Sequence, residues 1–159
     1  MIDAARVDPS VRGVLVYGPA GVGKSRLADH ALASAGRDGW GIGRASATAA
    51  AEGSPFAALA HLMPADVFDT RSDPVTLYAQ VAESFAARSD HGPFMLMVDD
   101  LPRLDVSSAT LVGQLLDASA VFLVATVRSD ETSRRGRSST ISMKGPWSLR
   151  AAKDSATCA

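Results

Sequence analysis

The chain has 159 residues, of which 47% are hydrophobic and 21% are charged, a balance that fits one domain with a sizeable core. Its apolar runs fall short of the roughly 18 residues of a membrane span, and the N-terminus lacks the basic-then-apolar order of a secretory signal. The single cysteine, Cys158, excludes an intrachain disulfide. We therefore expect a soluble cytoplasmic protein.

Charge divides the chain into two parts. Residues 1–131 contain 16 acidic and 10 basic side chains, whereas residues 132–159 contain one acidic and six basic ones. The acidic first part argues against a general nucleic-acid binder. Nine of its ten basic residues are arginines and the tenth is Lys24. A compact ammonium on a flexible stem suits a position beside phosphates, so this single lysine is a candidate ligand.

The first half of the chain predicts strands that alternate with helices. Residues 14–17 are apolar and β-rich, which predicts a buried strand. A helical apolar spacing follows over residues 26–36, with Gly36 as the expected C-terminal stop. Residues 40–47 predict a second strand. Residues 54–63 predict a second helix, since they begin with a serine cap followed by proline.

The second half continues the same alternation. After an expected loop over residues 64–72, Asp73 and the following proline predict the start of another helix. Residues 94–98 form a continuous apolar run, as expected for a strand buried on both faces. Asp105 precedes a leucine-rich helix, and residues 120–127 predict a further fully apolar strand. This order predicts an α/β fold with a mostly parallel sheet.

The stretch GPAGVGKS, residues 18–25, fits the phosphate-loop pattern G-x-x-x-x-G-K-[ST] and lies between a predicted strand and a predicted helix. Gly18 and Gly23 would allow a tight turn, Lys24 would reach the β- and γ-phosphates, and Ser25 would bind Mg²⁺. The alternative is a glycine-rich turn that binds nothing. The predicted nucleotide-binding residues are Gly18, Pro19, Ala20, Gly21, Val22, Gly23, Lys24, Ser25 and Arg26.

Two further sequence positions complete the predicted site. Asp99 and Asp100 end the apolar strand after the phosphate loop, where Asp99 would hold Mg²⁺ through water and Asp100 would orient or deprotonate the attacking water. Acidic residues also commonly end strands without such a role. Arg128 follows the last strand at the edge where ligands bind in parallel sheets, and it would sense the γ-phosphate. The alternative is a solvated surface arginine. The predicted catalytic residues are Lys24, Asp100 and Arg128.

Four stretches together resemble a known family. They are GPAGVGKSRL, SPFAALAHLM, MLMVDDLPRLDVSSATLVGQLL and VFLVATVRSDE, within residues 11–131. They are similar to the ATPase domain of LuxR-type bacterial transcriptional regulators, the MalT-like STAND group of AAA-like P-loop proteins. The resemblance implies a P-loop NTPase three-layer sandwich. The positions that match the family's functional residues are Gly18, Gly23, Lys24 and Ser25 of the loop, the acidic pair Asp99 and Asp100, and the γ-phosphate-sensing Arg128.

The resemblance implies an ATP- and Mg²⁺-dependent switch whose ATP-bound form self-associates, with low turnover. Arg103 departs from the family pattern, since tryptophan often fills this position. The family's fifth strand, helical lid, sensor repeats and DNA-binding domain are not visible in the sequence. We therefore expect the sheet to be incomplete at the C-terminus and residues 132–159 to be an irregular basic tail. A truncated or frameshifted gene would explain the change near residue 131.

Two other functions use the same motifs. A small P-loop phosphotransferase would need the same loop and the same Mg²⁺-binding aspartate, although no arginine-bearing lid or acceptor site is evident before residue 130. A non-functional ATPase fragment would retain the motifs without turnover, because the loss of a lid and an edge strand exposes apolar surface.

Overall fold

A computed structural model describes residues 11–48, 53–67, 73–90, 94–129 and 150–152. The strands in these ranges are β1 (Gly13–Gly18), β2 (Ile42–Ser46), β3 (Phe94–Asp99), β4 (Val121–Arg128) and β5 (Arg150–Ala152). The α-helices in the same ranges are α1 (Lys24–Arg37), α2 (Pro74–Ala86) and α3 (Val106–Asp117). Short 3₁₀ turns lie at Ala60–Leu62, Ala65–Val67 and Leu101–Arg103.

All strand pairs in the sheet are parallel, and the strand order is β2-β3-β4-β1-β5. The strand β4 therefore lies between β1, which leads into the glycine-rich loop, and β3, which ends in the acidic pair. Because the strands are parallel, the carboxyl ends of β1, β3 and β4 meet at one edge. The predicted α/β fold with a parallel sheet is confirmed.

Helices cover both faces of the sheet. Side chains of β3 alternate between the faces, with Met95 and Met97 packed in one apolar cluster and Leu96 and Val98 in the other. The first cluster includes Ala28 and Ala35 of α1, and the second includes residues of α2 and α3. Since β3 is covered on both sides, its continuous apolar run is explained, and the three-layer arrangement is as predicted. No helix in the described ranges has the length and apolarity needed to cross a membrane.

The end of α1 differs from the prediction. Gly36 lies inside the helix, and the residue in the left-handed region is Gly39, with φ +79°. The N–H of Trp40 donates to the Ala35 carbonyl at 3.1 Å, and that of Gly39 donates to the Gly36 carbonyl at 3.2 Å. These two bonds satisfy the last helical carbonyls around a glycine in the left-handed conformation, so the helix continues past Gly36 to Arg37.

The predicted helix over residues 54–63 is wrong. This segment forms turns and the short 3₁₀ helix Ala60–Leu62, because Phe56 has φ +60°, which an α-helix does not allow. The Phe56 N–H donates to Asp105 Oδ1 at 3.1 Å, a tertiary hydrogen bond that replaces a local helical one. The apolar residues of this segment are nevertheless buried, since Leu59 and Met63 both lie in the core.

Aspartates cap α2 and α3, as the sequence predicts. Asp73 accepts hydrogen bonds from the backbone of Val75 and Thr76. Asp105 accepts from the Ser108 N–H at 2.8 Å and the Ser108 hydroxyl at 2.6 Å, in addition to Phe56. Burial alone would raise the pKa of Asp105, but these hydrogen bonds outweigh burial and hold that pKa below its ordinary value.

The contacts of Asp105 predict a stability effect. Asp105→Ala removes a helix cap and the partner of the Phe56 N–H, so we expect a loss of about 2 kcal/mol in the free energy of unfolding at pH 7. Because the folded-state pKa is lowered, the carboxylate stabilises above its unfolded pKa and ceases to stabilise as the pH falls through the folded-state value. Urea unfolding at pH 7 and at lower pH measures both effects. The matched cap variant Asp73→Ala should lose less, because within the described ranges Asp73 bonds only to Val75 and Thr76 of its own helix. Equal losses would contradict this role.

A short fifth strand, which the sequence analysis did not identify, lies at the edge of the sheet. In β5, Arg150 aligns with Val14 and Ala152 aligns with Val16, parallel to β1. The edge of β1 away from β4 offers backbone N–H and C=O groups, and an extended segment can satisfy them without any side-chain pattern. The other residues of 132–159 lie outside the described part of the chain, so a boundary at residue 131 stays a prediction.

Candidate functional site

The glycine-rich loop connects β1 to α1 at the carboxyl edge of the sheet. Gly21 and Gly23 have φ +79° and +93°, conformations that L side chains rarely adopt. At Gly18 a Cβ would lie 3.3 Å from Val22 Cγ1, a tight contact that a small shift of this exposed side chain would relieve. The backbone conformation that favours glycine therefore occurs at Gly23, where the turn was expected, and also at Gly21. Gly21 occupies a position at which the phosphate-loop pattern accepts any residue.

The N-terminus of α1 faces this loop without an acidic side chain. The N-cap residue is Gly23, which has no side chain to accept from the first N–H groups, and the first turn contains no acidic residue. Unpaired N–H groups and the helix dipole give this end a positive potential. Such an end favours an anion, and the phosphates of a nucleotide meet that requirement.

Lys24 reaches back over the loop. Its Nζ donates to the Gly18 carbonyl at 3.0 Å and to the Pro19 carbonyl at 2.8 Å, and the residue is only 8% exposed. An ammonium has three N–H donors, and these carbonyls use two. The charge is thus held at the mouth of the loop by backbone atoms of the loop itself.

Ser25 and Asp99 are brought into direct contact, as the sequence motifs predict. The Ser25 hydroxyl lies 2.9 Å from Asp99 Oδ1 and 3.1 Å from Asp99 Oδ2. The two residues are 74 positions apart in sequence and lie on α1 and β3. Their contact therefore follows from the sheet order rather than from local structure.

Thr126 joins both acidic residues, and the sequence analysis did not identify it. Its hydroxyl donates to Asp99 Oδ1 at 2.5 Å and accepts from the Asp100 N–H at 2.9 Å. Thr126 is 2% exposed, so its hydroxyl needs these partners inside the protein. The signal was present in the sequence, since Thr126 is the polar member of an otherwise apolar strand until Arg128.

Asp100 lies directly after β3 in the left-handed region, with φ +61°. Aspartate tolerates this region better than most residues, and the hydrogen bond to Thr126 fixes the backbone there. Its Oδ2 lies 3.7 Å from Arg103 Nε. Arg103, which occupies the position where the resembling family often has tryptophan, thus forms an ion pair with the acidic motif.

Arg44 is a second residue that the sequence analysis missed. It lies on β2, with its guanidinium 3.0 Å from Asp29 of α1 and 3.7 Å from Asp99 Oδ2. The sequence feature that could have identified Arg44 is its position as a charged residue inside a predicted strand.

Arg128 ends β4 and pairs in register with Gly18, the first glycine of the loop. The structure thus places its backbone beside the loop, and the side chain is half-buried. Of the remaining predicted nucleotide-binding residues, Pro19, Ala20, Val22 and Arg26 are all exposed at this edge.

The oxygen atoms of Ser25 and Asp99 fit Mg²⁺. Magnesium prefers oxygen ligands, and it often takes one or two from the protein and the rest from water and phosphate. A hydroxyl and a carboxylate at 2.9 Å supply such a pair. Within the described ranges no group of three or more His, Cys, Asp or Glu side chains could hold a metal ion, so a site formed by the protein alone is not found there.

The fold is similar to solved P-loop NTPase structures. Drosophila ORC bound to DNA matches with TM-score 0.54 and 12% identity, covering 94% of this chain and 85% of that one. Drosophila ORC bound to AT-rich DNA and Cdc6 matches with TM-score 0.53 and 13% identity, covering 94% and 51%. Aquifex aeolicus DnaA bound to AMPPCP has TM-score 0.48 and 17% identity, covering 82% and 37%. The chain thus spans about a third to a half of the length of the last two proteins.

Sequence comparison gives the family. No curated protein matches the chain. The family model described as the AAA ATPase domain matches residues 2–125, which is most of the sequence. The match includes the glycine-rich loop and the acidic pair, and it ends just before Thr126. The chain belongs to the AAA ATPase domain family.

Proposed function

We propose that this chain binds ATP together with Mg²⁺ at the loop of residues 18–25 and hydrolyses it slowly. The observation that carries the proposal is the contact between Ser25 and Asp99, which joins the loop to the acidic strand end. In a phosphate-loop site these two side chains would hold a Mg²⁺ ion beside the bound phosphates. A glycine-rich turn that binds nothing would not need a carboxylate next to its serine.

The other residues have complementary roles in binding. Lys24 would exchange its bonds to the Gly18 and Pro19 carbonyls for phosphate oxygens, since an ammonium gains more from a charged acceptor. The backbone N–H groups at the start of α1 would bind the same phosphates. Bound Mg²⁺ would neutralise charge on the phosphates, and Ser25 and Asp99 would hold it there.

Slow hydrolysis is the turnover that we infer for this site. Asp100 would orient or deprotonate the attacking water, with Arg128 near the γ-phosphate. Asp100 Oδ2 lies 3.7 Å from Arg103 Nε, so this carboxylate would act on a water while it stays beside a cation. Attraction to a cation weakens a carboxylate as a proton acceptor, which suits slow turnover and a switch that remains in its ATP-bound form.

The proposal extends to the kind of protein in which the domain works. The resemblance of GPAGVGKSRL and MLMVDDLPRLDVSSATLVGQLL to LuxR-type, MalT-like STAND regulators supports a transcriptional regulator whose ATP-bound form associates with further copies. The AAA ATPase domain match is compatible with this assignment. The regulatory domains and any DNA contact would belong to other parts of such a protein.

A thermal melt tests nucleotide binding without assuming turnover. A ligand that binds only the folded state stabilises it by about 2.7 kcal/mol at one hundred times its dissociation constant. For a chain of this size we expect Mg·ATP to raise the Tm by roughly 5–10 °C. Mg²⁺ with AMP is the control, because AMP lacks the β- and γ-phosphates that Lys24 would bind. An unchanged Tm at millimolar Mg·ATP would contradict the proposal.

A further inference from the structure

Arg44 lies between two carboxylates that belong to different elements. Its Nη1 is 3.0 Å from Asp29 Oδ1 on α1, and its Nη2 is 3.7 Å from Asp99 Oδ2 on β3. Ser46, two residues later on the same face of β2, pairs in register with Asp99. The strand β2 therefore positions Arg44 beside the end of β3, where the acidic motif begins.

The contacts of Asp99 are divided between its two oxygens. Oδ1 accepts from the Thr126 hydroxyl at 2.5 Å, whereas Oδ2 faces the Arg44 guanidinium. The Ser25 hydroxyl is within reach of both. Arg44 thus supplies positive charge on the Oδ2 side, close to where a metal ion held by Ser25 and Asp99 would also add positive charge.

Two like charges beside one carboxylate repel each other, so Arg44 and a metal ion compete for Asp99. The side chains of Arg44 and Asp99 are 45% and 27% exposed, and solvent moderates this competition without removing it. The shorter contact to Asp29 gives the guanidinium a second partner, so it can release Asp99 and stay paired.

We propose that Arg44 is a positioning residue that neutralises Asp99 in the nucleotide-free protein and moves fully onto Asp29 when Mg·ATP binds. This inference rests on the proposed Mg·ATP site and adds a regulation to it. Arg44 sets the Mg²⁺ concentration at which the site loads, and Asp29 sets how readily Arg44 leaves.

The test is a Mg²⁺ titration of nucleotide binding, read by the anisotropy of ATP that carries a fluorescent N-methylanthraniloyl group. Arg44→Gln should lower the Mg²⁺ concentration for half-maximal tight binding by about two- to fivefold, as expected for a partly exposed ion pair. Asp29→Asn should raise it by a similar factor, because among the described residues Arg44 then has Asp99 as its remaining ion-pair partner. Arg37→Gln, an equal charge change on the exposed last turn of α1, should leave it unchanged.

The double variant Arg44→Gln/Asp29→Asn distinguishes two explanations. In one, Asp29 acts by drawing Arg44 away from Asp99; in the other, each residue changes Mg²⁺ binding only through its own charge. If Asp29 acts through Arg44, the double variant matches Arg44→Gln alone; if both act only by charge, their effects cancel, which would overturn the proposal. An unchanged Mg²⁺ midpoint in Arg44→Gln, or weaker ATP binding by this variant without metal, would also overturn it. Failure of the unmodified chain to bind ATP at any Mg²⁺ concentration would instead reject the proposed function together with this inference.

Discussion

Replacing Lys24 with alanine is expected to weaken ATP binding at least about tenfold to a hundredfold, since a charge-assisted hydrogen bond contributes roughly 1.5–3 kcal/mol. Lys24 is nearly buried, and the Gly18 and Pro19 carbonyls hold its ammonium over the loop. The described ranges contain no other lysine that could replace it. Equilibrium binding of labelled ATP in excess Mg²⁺ measures the loss.

Two companion variants separate charge from packing. Lys24→Met keeps an unbranched side chain of similar length without charge, so it should bind as poorly as Lys24→Ala. Lys24→Arg keeps the charge but replaces a compact ammonium with a planar fork, and it should restore binding only in part. Full ATP affinity in a folded Lys24→Ala or Lys24→Met protein would contradict the assigned role.

Replacing Asp99 with asparagine should raise the Mg²⁺ concentration that tight ATP binding requires. The side chain keeps its shape, so its contacts with Ser25 and Thr126 can largely persist, but the charge that attracts the metal ion is lost. We expect the Mg²⁺ requirement to rise by about ten- to a hundredfold. Binding of Mn²⁺ in the presence of ATP, followed by electron paramagnetic resonance, reports this independently of hydrolysis.

The control for Asp99→Asn is Asp117→Asn, which makes the same change on an exposed residue at the end of α3. It should leave the metal dependence unchanged. If Asp99→Asn and the unmodified chain required the same Mg²⁺ concentration, Asp99 would not be the metal-binding carboxylate.

The fold was largely predictable because its strands are buried on both faces. Such strands are continuous apolar runs, as in β3 and β4, and aspartate caps mark the helices that cover them. The errors arose where tertiary contacts override local pattern. Phe56 leaves the helical region to donate to Asp105, and Arg150–Ala152 pair with β1 although no residue pattern marks them as a strand.

The site was predictable where one short motif carries the geometry. Lys24 and Ser25 follow from GPAGVGKS, and Asp99 follows from an apolar strand that ends in an acid. Thr126 and Arg44 could not be placed, because their contacts with Asp99 depend on the order β2-β3-β4 within the sheet. A parallel sheet can adopt several strand orders, and a single sequence does not distinguish among them.

The most direct test of the account is calorimetric titration of the unmodified chain with ATP, once in excess Mg²⁺ and once in a metal chelator. The Lys24, Ser25 and Asp99 arrangement predicts one ATP bound per chain, with tighter binding when Mg²⁺ is present. No measurable ATP binding by the folded chain, or equal affinity with and without Mg²⁺, would contradict a Mg·ATP site at this loop.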